Sequence, residues 1–115
     1  MNLAITTGLH TWRKMISLTE ETFSKSLGEN DIMIVDFWAD WCGPCLKVAP
    51  ILEEVEHEYN IQIAKVHVDE QTELALKYDV TSIPTLLVFE KGIPVKKLVG
   101  AYPKHKLIKE LEGWI

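Results

Sequence analysis

The chain has 115 residues, 47% hydrophobic and 25% charged, a composition that excludes a disordered or fibrous segment and fits one globular domain. At that length folding buries roughly two thirds of the unfolded surface, enough for a core without disulfide staples or a structural metal. Seventeen Asp and Glu against twelve Lys and Arg leave a net charge of −5, which argues against nucleic acid as a partner.

No apolar run approaches the roughly 20 residues that span a bilayer, so no membrane association is expected. The N-terminus has no leading positive charge, and Thr6, Thr7 and Gly8 dilute any apolar stretch there, so no secretory signal is expected either. The expected location is the cytoplasm, where cysteines serve catalysis or metal binding more often than permanent cross-links.

Residues 1–14 lack periodicity and read as an extension to a domain spanning 15–115, with Met15 itself a candidate start codon. Met15 to Leu18 predicts a short strand running into a helix cap at Thr19. Glu20 and Glu21 fall in the first turn, where the helix dipole favours negative charge. Phe23 and Leu27 make that helix's apolar face, and Gly28 its end. Ile32 to Ala39 is nearly all apolar, as in a central strand covered on both sides, with Asp36 the exception. A helical pattern follows from Gly43 to about Tyr59, with Pro44 in the first turn and Val48, Leu52, Val55 and Tyr59 on one side. Pro50 predicts a kink.

Ile61 to Val68 reads as a second buried strand, followed by a short helix through Leu74 and Leu76 to Tyr78. Thr85 to Phe89 is a third strand. Gly92 lies in a short turn before Val95 to Val99, a separation that predicts an antiparallel hairpin. Pro103 opens a last helix whose Leu107, Ile108, Leu111 and Ile115 face inward. Strands alternating with helices and closing on a hairpin give the α/β class, a mixed sheet with helices on both faces.

Cys42 and Cys45 form a C-x-x-C motif after a buried strand and at the mouth of a helix, a spacing that chance would give about 2% of the time. Three apart at a helix start, they lie on one face and within reach of a disulfide. Cys42, at the helix edge, meets unpaired backbone N–H groups and the positive end of the dipole, which stabilise a thiolate. It is the expected nucleophile. Cys45, one turn in, is placed to attack a mixed disulfide on Cys42 and release the reduced substrate. Zinc or an iron–sulfur cluster is the rival reading. It lacks a second cysteine pair, and His10, His57, His67 and His105 are spaced unhelpfully.

The run from Asp36 to Cys45, DFWADWCGPC, resembles the active-site segment of the thioredoxin family. So do Ser82-Ile83-Pro84-Thr85, the turn from Phe89 to Gly92 and Val99-Gly100-Ala101, and the likeness extends over roughly residues 15–115. The Gly43-Pro44 pair is similar to the reducing members of the family. The resemblance implies the thioredoxin fold and a protein-disulfide reductase. Asp36 would be the buried carboxylate that takes the proton of the resolving thiol, and Lys65 its partner; a structural Asp and a snorkelling Lys are the plainer alternatives. Pro84 would be a cis-proline, with Trp41, Gly43, Pro44, Ile83 and Gly100 around it on a client-docking surface. Trp38 would pack beneath the site.

The resemblance further implies a monomer without a cofactor of its own, serving disulfide-containing client proteins and re-reduced by a thioredoxin reductase that carries flavin and uses NADPH. The chain departs from the family in Leu46, where a basic residue commonly stands, and in the extension. A thioredoxin-fold binding subunit whose redox activity is incidental is the alternative function, since docking would use the same loops.

Overall fold

The computed structural model describes residues 15–115. The extension, with Trp12 and His10, lies outside the described residues. Five strands make one sheet among those residues: β1 (Ile16–Ser17), β2 (Ile32–Trp38), β3 (Gln62–His67), β4 (Thr85–Glu90) and β5 (Ile93–Val99). Four helices connect or follow them: α1 (Phe23–Glu29), α2 (Gly43–Tyr59), α3 (Thr72–Lys77) and α4 (Lys104–Glu110). The strand order is β1-β3-β2-β4-β5. β3 runs parallel to both β1 and β2, whereas β4 is antiparallel to β2 and β5 to β4.

β2 is central because both of its faces are apolar. Met33, Val35 and Phe37 point to one side and pack with Phe23 of α1, Leu74 of α3, and Leu87 and Phe89 of β4. Phe23, Tyr78 and Phe89 meet there ring to ring, with centroids 5.2 to 5.6 Å apart. Ile34 points to the other side and joins Val48, Leu52 and Val55 of α2, Ile63 of β3, and Leu107 and Leu111 at the C-terminal end. Two helical layers on one sheet explain why β2 and β4 read as continuous apolar runs rather than alternating ones. The architecture is the expected α/β fold.

Several boundaries differ from the sequence reading. α1 begins at Phe23, because Thr19 and Thr22 first close a turn of their own: each backbone N–H donates to the other's hydroxyl, at 3.0 and 3.3 Å. Glu20 and Glu21 therefore sit in that turn, and the Glu20 carboxylate accepts the Glu73 N–H of α3. Gly28 lies inside α1; the cap is Asn30, whose side chain donates to the Ser26 carbonyl. Pro50 stands within α2, which runs on to Tyr59.

β5 starts at Ile93, two residues earlier than the pattern suggested. Lys91 and Gly92, with φ of 51° and 81°, make the whole turn between paired Glu90 and Ile93. Positive φ at both positions gives the backbone twist a two-residue hairpin needs, and Gly92 adopts it without a steric cost. A bulge then shifts the register, so that Val88 faces Lys96 while Phe89 faces Pro94. Pro94 is tolerated because β5 is the outer strand of the sheet on this side.

Candidate active site

The C-terminal end of β2 delivers the chain straight to the cysteines. Cys42 is the N-cap of α2, with extended backbone, and Pro44 occupies the first turn, where its missing N–H leaves no bond unmade. The two sulfurs are joined in a disulfide with Cα atoms 5.2 Å apart. The Cys45 N–H donates to Cys42 Sγ at 3.2 Å. Both cysteines are nearly buried, packed with Ala39 and against Trp38, Val68 and Ile83. The asymmetry between them thus lies less in exposure than in hydrogen bonding, because Cys42 Sγ faces the open N–H end of a 17-residue helix.

Asp36 lies two residues after Ile34 on the sheet face that α2 covers, and it is only 2% exposed. Its Oδ1 has no hydrogen-bond partner. Burial raises its pKa from 3.8 to about 7, against the smaller opposing pull of the Lys65 ammonium. Lys65 is its register partner on β3, and the Lys65 ammonium sits over the Trp38 ring, 4.9 Å from the centroid. Asp36, Trp38, Lys65 and His67 form a two-by-two array on one face, because the pairs are Asp36 with Lys65 and Trp38 with His67.

The remaining expected residues lie around this end of the sheet, most of them at the surface and Pro84 buried. Trp41 is 70% exposed, with Gly43 and Pro44 also at the surface. The Ile83–Pro84 peptide bond is cis, and Ile83 packs against the cysteine cluster. Gly100, at φ 104°, donates its N–H to the Pro84 carbonyl at 2.8 Å. That ties the start of β4 to the loop after β5; a φ in this region favours glycine.

Three residues at this end of the sheet drew no role from the sequence. Asp69 accepts the Trp41 indole N–H at 2.8 Å. His67 Nε2 lies 3.1 Å from Asp40 Oδ2, and the His67 and Trp38 rings meet edge to face at 4.9 Å. None is detectable from local spacing, since each pair is separated by 27 to 29 positions and is created by the β2–β3 register. Among the described residues no group of three or more His, Cys, Asp or Glu is arranged to hold a metal ion, and no helix is long and apolar enough to cross a membrane.

Comparison with known proteins agrees with this geometry. The thioredoxin family model matches residues 14–113. The chain is 45% identical over 100 residues to thioredoxins of Staphylococcus epidermidis and Staphylococcus aureus, an alignment covering 85% of this chain and 95% of each relative. Among solved structures it is similar to Plasmodium falciparum thioredoxin, with a TM-score of 0.82, 36% identity and coverage of 88% of this chain and 100% of that one. A point mutant of the Halobacterium salinarum thioredoxin gives a TM-score of 0.82, 32% identity and coverage of 88% and 90%. A likeness that spans nearly the whole of each relative and includes the redox pair leaves one assignment: the chain belongs to the thioredoxin family, and it reduces protein disulfides by dithiol–disulfide exchange through Cys42 and Cys45.

Proposed function

We propose a division of labour within that reaction in which Cys42 attacks, Cys45 resolves and Asp36 manages the proton. The Cys42 thiolate attacks one sulfur of a client disulfide, forming a mixed disulfide and expelling the first client thiolate. Asp36, as carboxylate, takes the proton of the Cys45 thiol. Cys45 then attacks Cys42 Sγ, which closes the Cys42–Cys45 disulfide and expels the second client thiolate. Two electrons have passed to the client, and each of its thiolates takes up a proton from water.

The observation that carries this reading is the N-cap position of Cys42. A thiolate there gains from the Cys45 N–H already directed at its sulfur and from the helix dipole. Asp36 supports the second half: a carboxyl whose pKa lies at about 7 exists in both protonation states near neutral pH, which is what an acceptor that must also give its proton back requires. The Lys65 ammonium keeps that value from rising further, as the opposing influence on the same carboxyl.

Trp41, Gly43, Pro44, Ile83 and Gly100 form the client-docking rim around the disulfide, and Pro84, next to Ile83 and buried, backs it. The clients are disulfide-bearing proteins presented to a monomer in the cytoplasm. A thioredoxin reductase carrying flavin and drawing on NADPH returns the two electrons, and the protein holds no cofactor of its own. The domain that does this work is residues 15–115, with 1–14 an extension. The test is NADPH oxidation in the presence of such a reductase and insulin as disulfide substrate. Catalytic turnover in proportion to this protein is expected, and its absence would favour a binding subunit with incidental redox chemistry.

A further inference from the structure

His67 is built into the site more firmly than its place at the end of a strand requires. Its side chain is 14% exposed, and its Nε2 lies 3.1 Å from Asp40 Oδ2. A carboxylate oxygen can only accept, so Nε2 is the donor in this bond. Nδ1 is buried without a hydrogen-bond partner. The ring is therefore held by one hydrogen bond and by its edge-to-face contact with Trp38, centroids 4.9 Å apart. The opposite end of the same array is functional: the Lys65 ammonium rests over the Trp38 indole, and it is the cation that Asp36 feels.

We propose that His67, held by Asp40, is a positioning residue for the exchange reaction: it fixes the Trp38 indole on which the Lys65 ammonium rests, and so keeps that cation within electrostatic reach of Asp36. The inference rests on the reading of Asp36 as the proton acceptor. Its geometry is a relay along two paired strands: contacts from Asp40 to His67, His67 to Trp38 and Trp38 to Lys65, and from Lys65 a through-space pull on its register partner Asp36. The same strand ends are joined by the Val68 N–H donating to the Trp38 carbonyl at 2.9 Å, so the backbone beneath the array is fixed while the side chains remain the adjustable part. The charged groups around His67 are Asp40, Glu70 in the same cleft, and Lys65 across the indole. The charged group that acts on Asp36 is Lys65 on β3.

The readout is the titration of Asp36 itself, followed by carbon NMR of its carboxyl in the oxidised full-length protein, beside insulin reduction driven by dithiothreitol. His67→Ala should raise the Asp36 midpoint by about half a pH unit, because a cation that wanders away stabilises the carboxylate less. It should also lower kcat at neutral pH about twofold, with KM unchanged. His67→Gln, which restores the N–H donor to Asp40 but puts no ring against Trp38, should raise the midpoint as well. Asp40→Ala should raise the midpoint as well, although deleting a negative charge would by itself lower it.

A midpoint unmoved in His67→Ala or in His67→Gln would overturn the proposal. Asp40 is 79% exposed, so Asp40→Ala supplies the test if His67→Ala fails to fold, and a midpoint that falls or stays would be equally decisive. Asp36→Asn with undiminished turnover would sink the proton-acceptor reading instead, and the midpoint shifts would still be measurable in the other variants.

Discussion

Asp36 and Lys65 stand opposite each other in the register of the two central parallel strands, yet the lysine ammonium settles over the Trp38 ring and one oxygen of the carboxyl is left without a hydrogen bond. The lysine therefore acts on Asp36 through space, and burial outweighs it. A carboxyl held in that way is a poor stabiliser and a serviceable base.

Asp36→Asn should consequently stabilise the oxidised protein, and by an amount that depends on pH. Because the folded pKa, about 7, lies above the usual 3.8, the folded state binds the extra proton between those values. The contribution of Asp36 to stability is thus fully present below the lower value and lost as pH rises through the upper one. At the outside that loss is on the order of 4 kcal/mol. Urea unfolding at pH 4 and pH 8 should find variant and wild type similar at the first and the variant more stable at the second. Turnover of the variant should fall at the resolving step.

The two cysteines should fail differently when replaced by serine. Cys42→Ser should abolish attack on client disulfides, since a hydroxyl is scarcely ionised near neutral pH. Cys45→Ser keeps the nucleophile and lacks the group that releases the client, so mixed disulfides should accumulate on Cys42. Non-reducing electrophoresis with mass mapping of the adducts checks this. Conjugates that form with Cys42→Ser and are missing with Cys45→Ser would reverse the roles.

Trp41 is exposed and tied to Asp69 by its indole N–H. Trp41→Ala should cost less than about 1 kcal/mol of stability, since little apolar surface is buried there. It should raise KM for insulin several-fold, and Asp69→Asn should do so more mildly. A stability loss above that limit, read from denaturant midpoints, would make Trp41 a packing residue rather than a docking one.

Deleting residues 1–14 should leave insulin reduction unchanged and shift unfolding stability by less than about 2 kcal/mol, as the domain reading requires. A larger loss in urea unfolding would show that the extension packs on the core.

Much of the fold was legible because its signals are local. The apolar run around Asp36 and the Val48, Leu52, Val55 stripe marked β2 and α2, and Cys42 and Cys45 were placed by the junction between those two elements. The misplaced boundaries have equally local causes that no pattern announces: Thr19 and Thr22 satisfy each other before α1 begins, and Lys91 takes a positive φ without being glycine. Asp40, His67 and Asp69 were out of reach for another reason. Their meaning lies in the alignment of β2 with β3, and no periodicity within either segment states which residue of one will stand beside which residue of the other.

The bulge and Pro94 on β5 bear on how this protein can handle unfolded clients. An outer strand with a regular row of free N–H and C=O groups would invite any extended polypeptide to add itself to the sheet. Here the row is broken by a proline that has no N–H and by the change of register at Val88 and Phe89, and it carries Lys96 and Lys97. A partly unfolded client therefore finds little backbone template along this flank. The docking rim proposed around the disulfide then meets no competition from this flank.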